Sequence, residues 1–283
     1  MKTIQLTRPP SALKTGLQLL LAGKRSAGRI DSLPQISYQL PRTTLDSRHL
    51  ERYRQVCGFT AAQGVPLIYP QLLTAPLVMQ FFISPECPWP ALGTVHLANR
   101  IEQYAALQCG DELRVEVASG ELIAHPKGQM FTLEQRIYRD QALIWQATQS
   151  LLRVGVAEPR GVAYRSALSS AAALSQCGQF AAEAAIGRRY GAVSGDLNPI
   201  HLTALSAKLF GFKRAIAHGM WTKARALALL LPEQQIDAAT ASVEFKRPLL
   251  LPGRVTLWRG DGEFEVRDGA GRAPHLRGHL RLG

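Results

Sequence analysis

Three things are scarce in this chain, and each scarcity excludes something. Four cysteines occur in 283 residues, Cys57, Cys87, Cys109 and Cys177. They lie far apart with no C-x-x-C pair, which argues against a disulfide scaffold and leaves no sulfur-based metal spacing. They read as reduced thiols, as expected of a cytoplasmic protein. No run reaches the ~20 apolar residues of a transmembrane helix. Pro9-Pro10 interrupts the N-terminus, and 17–22 is too short for the apolar core of a signal peptide. Acidic residues are outnumbered, 21 against 33 Lys and Arg, for a net charge of +12. Such a balance suits an anionic partner: nucleic acid, a membrane surface, an acidic carrier protein or a phosphorylated cofactor. The basic residues are scattered and not interleaved with aromatics along one element, which weighs against nucleic acid. G-x-S-x-G, P-loop and G-x-G-x-x-G patterns are absent, so serine hydrolase and nucleotide-binding readings lack support.

What is present suffices for a sizeable core: 46% of residues are hydrophobic and 19% charged. Residues 1–35 read as an extension, in which 11–22 form a short amphipathic helical patch. Asp46-Ser47 is positioned to cap a helix to about Val56, with Leu50, Tyr53 and Val56 on one face. The stretch 71–83 reads as a buried helix in which Pro76 should kink the axis or begin a new turn. Alternating, β-rich segments follow at 94–101, 112–124, 129–138 and 142–154, separated by turns at Cys109-Gly110-Asp111, Pro126-Lys127-Gly128 and Arg139-Asp140. The pattern then repeats. After a linker at 155–165, helices are expected over 183–193, 203–210 and 219–230, then strands over 240–246, 254–259, 264–267 and 274–280. Both halves read as a buried helix followed by about four strands. This is an α+β architecture of two antiparallel sheets, each wrapped around a central helix.

The chemistry concentrates in 190–220, YGAVSGDLNPIHLTALSAKLFGFKRAIAHGM. Asp196, Asn198, Pro199 and His201 put an acid, an amide, a rigid turn former and an imidazole within six positions. A carboxylate and an imidazole five residues apart across a Pro-containing turn can face one small volume. A helix beginning near Gly219 would aim backbone N–H donors at a developing oxyanion. Asn198 suits an Asx-type turn before Pro199. His218 fits packing or loop bonding as well as any chemical role. His275 and His279, four apart in an expected strand, lack the helical metal arrangement. Met79-Phe81-Phe82 and Leu227-Leu229-Leu230 suit core, and Arg188-Arg189 and Lys246-Arg247 suit solvated surface.

The Ser194-Gly195-Asp196-Leu197-Asn198-Pro199-Ile200-His201 run resembles the signature of MaoC-like, (R)-specific enoyl-thioester hydratases and dehydratases. Ala217-His218-Gly219-Met220 resembles their second block. The resemblance spans roughly 36–281 and implies a double hot-dog fold. It implies a degenerate N-terminal domain at 36–154, a linker at 155–165 and a catalytic domain at 166–283, with one active site per chain. It further implies reversible hydration of trans-2-enoyl to (R)-3-hydroxyacyl thioesters carried on coenzyme A or an acyl carrier protein, without metal or cofactor, in fatty-acid or other lipid metabolism. By the same resemblance, Asp196 and His201 hold the catalytic water and Gly219 supplies an oxyanion N–H. Gly219 would also let substrate approach the backbone. Asn198, His218, Lys213 and Arg214 would line the substrate path, the two cations meeting phosphate, and the 70–83 helix would bear on acyl length. The pairing is a pseudo-dimer within one chain, with a homodimer as a further arrangement. This chain departs from many relatives in having Leu202-Thr203-Ala204 where they carry acids. Two alternatives stay open: a hot-dog thioesterase, since fold alone does not fix the reaction, and a non-catalytic acyl-binding subunit.

Overall fold

The computed structural model describes residues 2–10, 28–168 and 173–283; the helical patch expected at 11–22 lies outside them. The chain divides into two compact units, one of residues 1–44 and 70–167, the other of 45–69 and 168–283. The second unit thus includes 45–69, which the sequence reading placed with the N-terminal half.

In the first unit, strands β1 (Lys2–Gln5), β2 (Ile36–Thr44), β3 (Thr94–Gln103), β4 (Glu112–His125), β5 (Gly128–Arg139) and β6 (Ala142–Val154) form a sheet in the order β1-β2-β4-β5-β6-β3. Neighbours from β2 to β3 pair antiparallel. The N-terminal extension supplies β1, which pairs parallel with β2, and a short β7 (Val162–Ala163) pairs parallel with β4. Helix α2 (Gln71–Ile83) buries Thr74, Leu77, Val78, Phe81 and Phe82. It runs through Pro76 without ending there. Proline withholds one N–H from the helical ladder, a cost of ~3 kcal/mol, and the burial of this apolar segment offsets it. Phe81, Phe82 and Trp89 cluster on Phe131 of β5.

The second unit has the same plan with different contents. Strands β8 (Ser175–Ala182), β9 (Ala239–Phe245), β10 (Gly253–Gly260), β11 (Glu263–Asp268) and β12 (Pro274–Leu282) form an antiparallel sheet in the order β9-β12-β11-β10-β8. Four helices accompany it: α1 (Ser47–Cys57), α3 (Ile186–Ser194), α4 (Ala204–Lys208) and α5 (Gly219–Leu230).

Helix α1 starts where Asp46 Oδ1 accepts the backbone N–H groups of Arg48 and His49, at 2.8 and 3.0 Å. It stops at Gly58, whose φ of 76° places it in the left-handed region. Its buried face is Leu50, Tyr53 and Cys57. The sequence reading put Val56 there, but Val56 is only half-buried and its backbone carbonyl accepts from Trp221 Nε1 of α5 at 3.1 Å. This side of α1 explains why 45–69 belongs to the second unit. Tyr53 packs on Tyr190 of α3 with centroids 6.3 Å apart, and His49 Nε2 donates to the carbonyl of Val193 at 2.8 Å. Apolar faces and polar tips together commit α1 to α3 and α5.

Candidate active site

Helix α3 delivers the chain to the site. Gly195 ends it with φ 76°, and the cap N–H donates to Gly191 O. The next six residues are held by short-range bonds. Asp196 N–H donates to Ser194 Oγ at 3.2 Å, and Asn198 N–H donates to Asp196 Oδ1 at 3.1 Å. Ile200 N–H donates to Asn198 Oδ1 at 3.3 Å, an Asx-type cap on the 3₁₀ turn Pro199–His201. Each polar side chain of the motif thus has a local task, and the combined effect is to fix where the Asp196 and His201 groups point.

The loop also needs clearance. A Cβ on Gly187 would lie 1.9 Å from the carbonyl oxygen of His201, and one on Gly191 would lie 2.9 Å from that of Asp196. These two glycines, four apart on α3, open one face of the helix to the backbone of the loop. Sequence reasoning missed both. The available signal was two glycines at helical spacing just ahead of the motif, where one would weaken a helix for no local benefit.

His201 is buried, and its Nδ1–H donates to the carbonyl of Ile216 at 2.8 Å. That bond selects the tautomer and leaves Nε2 as a lone-pair acceptor. His218 stacks on it, ring centroids 3.7 Å apart and planes 25° from parallel. His218 Nε2–H donates to the carbonyl of Asp196 at 3.0 Å and lies 3.8 Å from its Oδ2. Tyr190 covers the other flank of His218, with centroids 4.9 Å apart. His218 Nδ1 is buried without a hydrogen-bond partner. The Asp196 carboxylate is half-exposed, its side chain 54% accessible. A carboxylate oxygen of Asp196 and one ring nitrogen from each histidine all lie within 4.8 Å of one another.

Burial sets the protonation of both imidazoles. It lowers the pKa of His201 against the opposing pull of the Asp196 charge and the Ile216 carbonyl. It lowers that of His218 further, to about 4, with the neighbouring His201 adding to the effect. Both rings are therefore neutral near pH 7. This trio is also the one group of metal-ligand types among the described residues. Stacked rings send their in-plane lone pairs side by side, however, whereas ligands of one ion must converge on it at ~2 Å.

Helix α5 begins at Gly219 with His218 as N-cap and no side chain capping the exposed amide groups. Its first N–H donors, at the positive end of the helix dipole, stay available to a ligand. The site of a Cβ on Gly219 is filled by the Phe245 ring, 2.8 Å from two ring carbons. Packing against Phe245 is one reason for a glycine here. Of the other residues proposed from sequence, Lys213 and Arg214 are exposed in the loop before this helix, and Arg214 Nη1 donates to Pro252 O at 3.3 Å. One turn into α5 is a lysine that sequence reasoning passed over. Lys223 is fully buried, its pKa held low by burial, and its Nζ donates to Ala241 O at 3.0 Å.

An acid–imidazole pair beside an uncapped helix start, on a sheet wrapped around that helix, defines a hot-dog hydro-lyase, and the chain belongs to the MaoC-like dehydratases. The MaoC like domain matches residues 176–257, which spans Asp196, His201 and Gly219. Across 281 residues the chain is 33% identical to 3-hydroxyacyl-thioester dehydratase X of Mycobacterium tuberculosis, covering 96% of this chain and 98% of that one. The crystal structure of HtdX from the same organism superposes with a TM-score of 0.72 at 31% identity, over 87% of this chain and 100% of that one. A MaoC-like dehydratase from Phytophthora capsici has a TM-score of 0.71 at 17% identity, over 88% and 96% of the two chains; at that identity it speaks for the fold alone.

Proposed function

We propose that this enzyme interconverts (R)-3-hydroxyacyl and trans-2-enoyl thioesters by adding and removing water, with Asp196 and His201 as the acid–base pair. The observation that carries the reading is the convergence of the Asp196 carboxylate with imidazole nitrogen inside 4.8 Å, together with the anchoring of His201 Nδ1 on Ile216. A water molecule fits between two acceptors at that separation, ~2.8 Å from each.

In the hydration direction the pair takes a proton from this water as its oxygen bonds to Cβ. Electrons move to the thioester oxygen, and the pair returns a proton to Cα, so it ends the turnover as it began. Dehydration is the reverse. Proton transfer by positioned groups contributes about 10²–10⁴-fold. The enolate oxygen is met by the Gly219 N–H, and one such donor is worth roughly 3–4 kcal/mol in the transition state. The added water is the source of the proton that reaches Cα and the side chains only relay it, so the step as written calls for no cofactor. Asn198 shapes the turn. His218 holds the Asp196 carbonyl and the His201 ring in place. Lys213 and Arg214, exposed in the loop before α5, are the cations we assign to the phosphate of an incoming pantetheine carrier. With four cysteines present as free thiols, the cytoplasm is the compartment we assign.

The test is hydration of a crotonyl thioester, followed by loss of the conjugated absorbance with product chirality read out. An (R)-3-hydroxy product supports the reading, and an (S) product overturns it. Release of free thiol instead would favour the thioesterase alternative. The phosphate role is checked by reversing the charges of Lys213 and Arg214. KM for coenzyme A substrates should rise with little change for short pantetheine analogues, and an equal rise for both rejects that placement.

A further inference from the structure

The chain between Asp196 and helix α5 carries a surface that the hydration chemistry does not use. Four of the eleven large hydrophobic side chains exposed among the described residues fall between 197 and 210: Leu197, Leu205, Leu209 and Phe210. Leu205 and Leu209 are 77% and 81% accessible. They stand four apart on α4 and its cap, so they share one face of the helix. A concentration of this kind is unusual on a free surface and marks a contact site.

Beyond the Asp196 carboxylate, the charges carried by this segment have one sign. No Asp or Glu occurs from Leu197 to Pro232, while Lys208, Lys213 and Arg214 are present and exposed. Arg188 joins them from α3 by donating to Leu202 O at 3.1 Å. Elsewhere in the chain arginines and lysines pair repeatedly with carboxylates, but none of these four forms an ion pair among the described residues. The patch is also tied to the chemistry. Thr203 and Ser206 form a reciprocal cap on α4, and Ser206 Oγ donates to the carbonyl of Pro199 at 2.6 Å, in the turn that holds His201.

We infer that this face docks an acidic acyl carrier protein that presents the thioester on its phosphopantetheine arm. The inference rests on the proposed thioester chemistry and names its delivering partner. Exposed cations without ion-pair partners, on the same segment as exposed leucines, complement a surface that is both acidic and apolar. The nucleotide of coenzyme A could use the cations but has no use for two leucines one helical turn apart. Docking here sets the arm down within a few residues of Asp196 and His201.

The experiment compares wild-type enzyme with Leu205→Asp/Leu209→Asp and, separately, Lys208→Glu. Each is assayed on one crotonyl group borne by an acyl carrier protein, by coenzyme A and by N-acetylcysteamine. These positions are exposed, so the fold should tolerate both variants, and circular dichroism checks that it does. Expected is a loss of at least tenfold in kcat/KM on the carrier protein, with the other two substrates within twofold. An unchanged rate on the carrier protein overturns the inference. So does an equal loss on coenzyme A, which would make the patch a nucleotide site. A shift to monomer in the variants by size-exclusion chromatography also overturns it, since a second copy of this chain would then be the occupant. If wild-type enzyme fails on N-acetylcysteamine as well, the proposed chemistry is at fault rather than the docking surface.

Discussion

The two units share a plan, a sheet packed on an apolar helix, and differ in the chemistry of the polar cluster that each contains. In the first unit, Gln71 and Thr74 of α2 and Gln149 of β6 meet on Gln135 of β5, and Asn99 of β3 donates to Gln71. The members are amides and a hydroxyl, bonded to each other and unable to titrate near neutral pH. In the second unit, the corresponding feature is an acid and two imidazoles held close by loop geometry. One imidazole nitrogen is unpartnered and the carboxylate is half open to solvent. Buried polar groups that satisfy one another lock a core, whereas an ionisable carboxylate open to solvent beside two buried imidazoles can handle protons. The comparison sets a scaffold of mutually bonded amides against the proposed reaction centre.

The sharpest way to break it is to remove the acid and the imidazole. Asp196→Asn and His201→Ala should each lower the hydration rate of a crotonyl thioester by about 10³-fold, within the range for positioned acid–base groups, while circular dichroism stays unchanged. Wild-type rates in either variant would erase the distinction between the units.

Next in size is a change that touches no reacting group. Gly187→Ala puts a Cβ where the His201 carbonyl lies, 1.9 Å away, so the turn must move. A displacement near 1 Å can cost ~10²-fold in rate, and overpacking of this kind costs about 1–3 kcal/mol in stability. Gly28→Ala in the first unit, where nothing lies within 4 Å of the new methyl, is the control and should change neither quantity. Equal effects in the two variants would show that clearance around the loop is not what Gly187 provides.

The same pair of sites shows what the sequence makes legible. The Asp196–His201 motif could be read because each member does something local: Gly195 turns the chain, Asn198 caps, Pro199 starts the 3₁₀ turn. Four strands of each sheet could be read because turn residues separate them, whereas β2 and β8, each set apart in sequence from its partners, could not. Gly187 could not be understood without the carbonyl that approaches it from fourteen residues away. The allegiance of α1 was hidden for a similar reason. An apolar face at 50, 53 and 57 says that a helix is buried, but only Tyr190 and Trp221 say against what. Strand β1 went unseen because the four residues Lys2–Gln5 carry little periodic signal, and its pairing with β2 creates the strand. Local chemistry is written in order along the chain, and long-range packing is not.

The titration of the second unit offers a milder test. The pKa of His218 is lowered from 6.5 to about 4 by burial. Above pH 6.5 the ring is neutral folded and unfolded, and this contribution to stability is complete. Between pH 6.5 and 4 the unfolded chain takes up a proton that the folded chain refuses, so stability falls as pH falls. At 1.36 kcal/mol per unit the loss from His218 is ~3 kcal/mol. The lowered pKa of His201 acts in the same direction. Denaturation midpoints measured from pH 7 to 4 should show the decline, and His218→Phe, which retains a ring for stacking, should flatten its larger part. A slope identical to wild type would mean that His218 does not titrate as a buried neutral group.

The smallest effect is expected from the first unit, and it should appear in stability only. Gln135 is fully buried, accepts from Gln71 and Thr74, and donates to Gln149 at 2.8 Å. Gln135→Leu matches it in bulk but leaves those three partners facing an apolar side chain, and each buried polar group deprived of its bond costs about 1–3 kcal/mol. Relaxation and bonds to one another recover part of this, since Gln71 keeps Asn99. A net loss near 2 kcal/mol is therefore expected, with no dependence on pH because no member ionises. The catalytic constants should stay within twofold of wild type. A fall in kcat as large as that of Gly187→Ala would show that the amide cluster takes part in the reaction, and the division between scaffold and reaction centre would then have to be redrawn.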